Sequence, residues 1–181
     1  MISLTPPPFS GLKLLQPNVY NDDRGYFFES YNLEALKNSG IEDVFVQDNQ
    51  SCSKKNVIRG LHFQVPPFAQ AKLVRVIKGS ALDVAVDLRK ESPTYGQYFS
   101  VVLSEENQLQ LYIPVGFAHG FVALEEDTLF AYKCSNLYHK DSERSILYND
   151  TDLNIHWNVE NPIVTDKDLQ GIRFKDFISP F

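Results

Sequence analysis

The stretch Lys72 to Leu88, K-L-V-R-V-I-K-G-S-A-L-D-V-A-V-D-L, carries the clearest structural signal in this chain of 181 residues. Leu82, Val84, Val86 and Leu88 alternate with Ala81, Asp83, Ala85 and Asp87. That two-residue period marks a strand with one buried face. Lys72 to Lys78 reads as a second strand, and Gly79-Ser80 between the two reads as a hairpin turn.

The same reading extends in both directions. Upstream, Arg24 to Tyr31 reads as a strand after an Asn21-Asp22-Asp23 turn, and Leu33 to Ser39 as a two-turn helix stopped by Gly40. Val44 to Cys52 and Val57 to Gln64 follow as strands. Downstream, strands are expected at Gln97 to Ser104, Leu109 to Pro114, Ala118 to Leu124 and Leu129 to Ser135. Beyond Tyr138 the pattern weakens and Asp, Asn and Lys become frequent, so the tail reads as an arm packed back on the strands rather than a second domain. Many short strands without long helices imply an all-β sandwich, barrel or jelly roll, and patterning alone does not choose among them.

Composition narrows the functional classes. A hydrophobic fraction of 43% with 22% charged residues is that of a globular chain, and 13% aromatic residues suit half-buried sheet surfaces. The formal charge of −6 argues against nucleic-acid binding, which needs a basic footprint. A nucleotide substrate remains compatible with it, because a few placed Arg and Lys residues suffice for one pyrophosphate. The start, with its three consecutive prolines, lacks the basic and apolar regions of a signal peptide, and no apolar run is long enough to cross a bilayer. Cys52 and Cys134 lack metal-ligand spacing and read as buried free thiols. A cytoplasmic protein is expected.

Two segments carry chemistry: R-G-L-H-F-Q at Arg59 to Gln64 and P-V-G-F-A-H-G-F at Pro114 to Phe121. The spacing P-x-G-x-x-H resembles the second cupin motif, and the first segment stands where the H-x-H of the first cupin motif falls. This implies a jelly roll with His62 and His119 pointing into the barrel. A metal-binding cupin offers two His and a Glu from the first motif. Here Gln64 replaces the second His, and the following V-P-P-F-A-Q contains no Glu. Two histidines make a poor divalent-metal site, so no metal is expected.

Taken in order, Arg24, Glu29, Gln47-Asp48-Asn49, R-G-L-H-F-Q, Lys72, V-A-V-D-L-R, I-P-V-G-F-A-H-G-F, Tyr132, Tyr138, Glu143 and T-D-K-D resemble the dTDP-4-dehydrorhamnose 3,5-epimerase family. The resemblance implies one cupin jelly-roll domain over residues 1–181, with a short N-terminal helix and a C-terminal arm. It also implies a homodimer with exchanged strands, a dTDP-4-keto-6-deoxy sugar as substrate, and no cofactor. Protons on carbons 3 and 5 are acidified by the intervening ketone, and inverting those carbons needs a base, an enolate stabiliser and an acid. His62 suits the base, because imidazole titrates near neutral pH. By resemblance Asp168 is its partner, Lys72 steadies the enolate oxygen, and Tyr132 is the acid on the other face. The resemblance assigns Arg24, Arg59, His119 and Lys167 to the substrate, with Glu29, Gln47, Asn49 and Glu143 as polar contacts and Tyr138 stacking on the thymine.

One conflict stands inside the first motif. Arg59 and His62 are separated by an odd number of positions, so a regular strand sends them to opposite faces. Either a bulge at Gly60 re-aims one of them, or Arg59 serves a site shared with a neighbouring subunit. The exchanged-strand dimer favours the second. Rival functions are a 3-only or 5-only epimerase or a 3,4-ketoisomerase of a related dTDP-4-keto-sugar, a metal-dependent cupin oxygenase, and a non-catalytic sugar-binding jelly roll.

Overall fold

The computed structural model describes the backbone of residues 2–3 and residues 9–181. Along the chain lie β1 (Ile2–Ser3), β2 (Lys13–Gln16), β3 (Tyr20–Asp22), β4 (Gly25–Phe27), the helix α1 (Leu33–Asn38), β5 (Gln47–Ser53) and β6 (Ile58–Gln64). They continue with β7 (Lys72–Lys78), β8 (Ser80–Asp87), β9 (Tyr98–Ser104), β10 (Gln110–Ile113), β11 (Phe117–Ala123), β12 (Thr128–Cys134), β13 (Glu143–Ser145) and the four-residue helix α2 (Asp166–Leu169). A six-stranded sheet ordered β1-β2-β10-β7-β12-β5 faces a five-stranded sheet ordered β13-β6-β11-β8-β9, and β3 and β4 form a separate hairpin. This is the expected all-β jelly roll. No helix among the described residues is long and apolar enough to cross a membrane.

Three apolar layers hold it together. Between the sheets, Val74, Val76, Leu111, Ile113 and Phe130 meet Ala81, Ala85, Leu103, Phe117 and Phe121. Outside the five-stranded sheet, Leu61, Phe63, Leu82, Val84, Val86 and Leu88 are covered by Ile146, Leu153 and Trp157 of the C-terminal arm. Outside the six-stranded sheet, Leu36 of α1 and Ile41 pack on Leu15, Leu73 and Tyr112. Asn32 caps α1, its side-chain oxygen accepting from the backbone N–H of Ala35 at 3.1 Å.

The strand β8 therefore differs from its expected form, because both of its faces are buried. The Leu/Val face lies under the arm, and the small Ala/Asp face lines the barrel. Alternating size, not alternating polarity, separates the two sides. Gly79-Ser80 is likewise not a hairpin: β7 pairs with β10 and β12, whereas β8 pairs with β11 and β9. The chain crosses from one sheet to the other at Gly79, whose φ is 77° and whose added Cβ would stand 2.8 Å from Thr128 Oγ1.

The strand expected from Arg24 to Tyr31 shrinks to Gly25–Phe27, paired back on Tyr20–Asp22. Arg24 itself lies in the connecting turn, held by the Asp22 carboxylate. Both cysteines are free, but Cys52 is exposed and Cys134 alone is buried.

Candidate active site

The site is built around β6. Its Ile58, Leu61 and Phe63 belong to the layer beneath the arm. Arg59, by contrast, reaches the facing sheet, where its Nε donates to Ser53 Oγ at 3.0 Å and its Nη2 to the Cys52 carbonyl at 3.3 Å. The pairing with β11 shows how the face changes. Arg59 stands opposite Phe121 and His62 opposite His119, so β6 takes three steps where β11 takes two. The extra residue is absorbed at Gly60, with φ 140°. A Cβ there would sit 2.5 Å from Gly120 Cα, which is why two glycines face each other across this pair. The bulge at Gly60 thus accounts for the parity conflict between Arg59 and His62 within one chain, where the sequence reading favours a site shared with a neighbouring subunit.

The arm supplies His62's partner. Thr165 caps α2 and Asp168 lies in its single turn, buried beside β6. His62 Nε2 stands 2.6 Å from Asp168 Oδ1. Burial pushes the Asp168 carboxyl up, but the hydrogen bond and charge of His62, with the Gly60 N–H and Thr165, carry it below the usual carboxylate range. An ionised carboxylate can only accept, so Nε2 donates, and in the neutral imidazole the lone pair falls on Nδ1.

Lys72, at the start of β7, does not reach solvent. It is 9% exposed, and its ammonium donates to the His62 carbonyl at 3.3 Å. Burial pushes its pKa down, against the opposing pull of Cys134, Asp83 and Glu143. Nζ stands 5.9 Å from the centroid of Tyr132, which shares the inward face of β12 with Phe130. Burial raises the Tyr132 phenol, helped by Cys134 and Glu143 and opposed by Arg59, so it is protonated at neutral pH.

At the rim, Gln47 Nε2 donates to Asn49 Oδ1 at 2.9 Å, and Gln47 Oε1 accepts the Tyr138 N–H at 2.8 Å. Asn49 Nδ2 in turn points at the Cys134 sulfur, 3.7 Å away. Glu143 Oε2 accepts from the Tyr138 hydroxyl at 3.0 Å and pairs with Lys167 Nζ at 2.7 Å. His62 thus contacts Asp168 and Lys72, with Tyr132 beside Lys72 and His119 opposite His62 across the β6–β11 pair. Gln47, Asn49, Tyr138, Glu143 and Lys167 form a second linked group at the rim, and Arg59 bonds to β5. Two expected residues are not brought to the site within this chain. Arg24 pairs with Asp22 on the exposed β3–β4 hairpin, and Glu29 accepts from Asn32 at the start of α1.

Gln64 has a task of its own. Its Nε2 donates to the carbonyls of Phe68 (2.6 Å) and Leu137 (3.2 Å), and its Oε1 accepts the His139 N–H at 2.7 Å. Where a metal cupin carries a ligand, this chain carries a clamp between two loops. Among the described residues, no group of three or more His, Cys, Asp or Glu side chains is arranged to hold a metal ion.

One inward residue escaped the sequence reading. Asp83 is fully buried, and its Oδ2 lies 2.8 Å from His119 Nε2. Burial lowers the His119 pKa; Asp83 opposes that, and the charges of Lys72 and His62 add to it. The available signal was an acid on the small-residue face of the strongest strand.

Fold and site together define a cupin whose barrel brings His62, Asp168, Lys72, Tyr132 and His119 into one neighbourhood. The sequence model described as dTDP-4-dehydrorhamnose 3,5-epimerase matches residues 7–176. The chain is 50% identical over 164 residues to the dTDP-4-dehydrorhamnose 3,5-epimerase of Shigella flexneri, covering 90% of this chain and 91% of that one. The crystal structure of the same-named enzyme from Elizabethkingia anophelis NUHP1 superposes with a TM-score of 0.92 at 46% identity, covering 97% of each chain. The dTDP-6-deoxy-D-glucose-3,5-epimerase of Legionella pneumophila Philadelphia 1, solved with dTDP-4-keto-L-rhamnose, gives a TM-score of 0.90 at 45% identity over 94% of this chain and 91% of that one. This chain belongs to the dTDP-4-dehydrorhamnose 3,5-epimerase family.

Proposed function

We propose that the protein epimerises dTDP-4-dehydro-6-deoxy-D-glucose at C3 and C5 to dTDP-4-dehydro-L-rhamnose, without a cofactor, on one cupin domain spanning residues 1–181. The observation that carries this reading is the His62–Asp168 pair, which engages Nε2 and leaves Nδ1 as the acceptor, with the Lys72 ammonium donating to the His62 carbonyl and standing beside the Tyr132 ring. His62 Nδ1 takes the proton beside the ketone, and the C–H electrons move into the enolate. Lys72 stabilises the oxyanion, and Tyr132 delivers a proton to the opposite face. Solvent then returns the proton from His62 to Tyr132, so no reagent is consumed. Arg59 and Lys167 suit the pyrophosphate, Gln47, Asn49, His119 and Glu143 the remaining polar groups, and Tyr138 the thymine face.

Arg24 and Glu29 fit this reading as groups lent to a partner. The hairpin that carries Arg24 exposes Tyr20, Tyr26 and Phe27 at 64%, 58% and 66%. Three aromatics on one small projection are suited to burial against another subunit, so the working unit is a homodimer in the cytoplasm. The test is NMR of the substrate with this protein in deuterated water. Deuterium at both C3 and C5 with formation of the L-rhamno product is expected. Label at one carbon only identifies a single epimerase, and no label identifies a binding module. Turnover that disappears on chelation and returns with a metal ion would identify a metal-dependent cupin instead.

A further inference from the structure

Inside the barrel, two charged groups are each left half-satisfied. Asp83 uses Oδ2 on His119, while Oδ1, buried from solvent, has no partner among the described residues. Lys72 donates one hydrogen bond, to the His62 carbonyl, and among the described residues no carboxylate stands within ion-pair distance of it. A buried carboxylate oxygen without a partner and a buried ammonium without a counter-ion are both costly, and each has what the other lacks.

The two approach from opposite sheets. Lys72 on β7 reaches across the barrel to His62 on β6, and His62 stands in register with His119 on β11. The His119 ring in turn holds Asp83 on β8. The titratable groups around the ammonium are therefore His62, Asp83, His119, Tyr132 and Cys134 on β12, and Glu143 on β13. Burial raises both the Tyr132 phenol and the Cys134 thiol, so neither is a standing anion at neutral pH, and Cys134 offsets the burial of Lys72 only where its thiol ionises. Glu143 is engaged at the rim by Lys167 and Tyr138. Asp83 is the one carboxylate of this set that is both wholly buried and left with a free oxygen.

We infer that Asp83 is a positioning residue for the reaction: it is the internal counter-ion of Lys72, acting through one bridging water, and keeps the enolate stabiliser cationic inside the barrel. His119 holds the carboxylate by one oxygen, so the other is left without a partner. This inference rests on the epimerase reading for its functional meaning, but the charge pair is measurable without it.

The sign follows from the pair. The Asp83 anion favours protonated Lys72, whereas burial disfavours it. Replacing the anion by a neutral isostere leaves burial unopposed, and Lys72 then loses its proton at lower pH. The experiment titrates the Cε signal of Lys72 in ¹³C-lysine-labelled protein, assigned by its disappearance in Lys72→Met. Asp83→Asn is expected to lower the Lys72 midpoint by about 0.5 to 1 pH unit or more, a three- to tenfold loss of proton affinity. The alkaline limb of the rate of deuterium exchange into substrate should move down with it, which a merely structural defect does not produce. A Lys72 midpoint that moves by less than about 0.5 unit in folded Asp83→Asn overturns the inference.

Should that variant not fold, the reciprocal measurement decides. In Lys72→Met the Asp83 carboxyl signal should titrate at higher pH than in the wild type, because coupling between two sites is mutual. An unmoved Asp83 sinks the pair. Wild-type protein that exchanges no substrate proton defeats the epimerase reading while leaving both titrations readable, so the two failures remain distinct.

Discussion

His62 Nε2 and Asp168 Oδ1 lie 2.6 Å apart although 106 residues separate them in the chain. The contact exists because the C-terminal arm folds back over the five-stranded sheet, burying Leu153 and Trp157 against β6, β8 and β11, and lays α2 beside β6. The layer that stabilises the fold thereby also brings His62 and Asp168 together.

Removing the His62 imidazole should separate chemistry from binding. In His62→Ala, turnover is expected to fall by roughly a hundred- to ten-thousand-fold, the usual worth of a general base. Affinity for dTDP should change little, because Arg59, Tyr138 and Lys167 are untouched. Asp168→Asn keeps the size of the side chain but can offer an amide donor to the imidazole, so it too should lose turnover with binding retained. Steady-state kinetics and dTDP calorimetry check both, and wild-type turnover in either variant removes that residue from the reaction.

Much of this architecture was legible in the residues. Short β-like runs set off by turn residues located β6, β7, β8, β11 and β12 to within a residue or two, and in β8 the two-residue alternation was explicit. What the alternation hid was partner choice. Lys72–Lys78 and Ser80–Asp87 are joined by two turn-forming residues, yet belong to different sheets, and a local glycine signal is the same for a hairpin and for a corner. It also hid Asp83, because an acid on an otherwise small face reads as solvent-facing until an arm covers the other side. The parity of Arg59 and His62 was visible as a conflict; its solution depended on the approach of Gly60 to Gly120, which no single-strand pattern contains.

That approach can be tested through stability. Gly60→Ala places a Cβ against Gly120 Cα at a backbone angle that L-residues avoid. The variant should lose about 2–4 kcal/mol of folding stability. Gly25→Ala is the control: its φ is 126°, but nothing stands within 4 Å of the added atom. It should cost clearly less. Equal midpoints for the two variants in thermal unfolding would mean that the bulge tolerates a side chain.

Acid should weaken the fold through Asp87 at the end of β8. Burial raises this carboxyl, but Arg89, Ser92 and Thr94 all donate to it and hold it down at about 2. A depressed folded-state value gives stability that is fully present above the ordinary carboxylate range and lost as pH falls from about 4 towards 2. The lowering is worth roughly 2 kcal/mol. Denaturant midpoints measured across that window should fall steeply for the wild type and less steeply for Asp87→Asn. Parallel slopes would assign the acid sensitivity to other carboxylates, Asp168 among them.

Tyr132→Phe separates acid from base most sharply. The substitution removes one oxygen from a ring packed beside Phe130 and leaves His62, Asp168 and Lys72 in place. If the phenol protonates the enolate on the face opposite His62, proton removal should survive its loss. The enolate would then be returned mainly by protonated His62 on the original face, giving exchange without inversion. In deuterated water the variant should wash deuterium into the substrate faster than it forms epimer, whereas His62→Ala should do neither. The epimer yield should fall by about a hundredfold or more relative to exchange, the scale of a lost general acid. Exchange and inversion falling together by one large factor would contradict this division of labour. Tyr132 would then position the substrate, and the second proton would have to come from water or another side chain in the barrel.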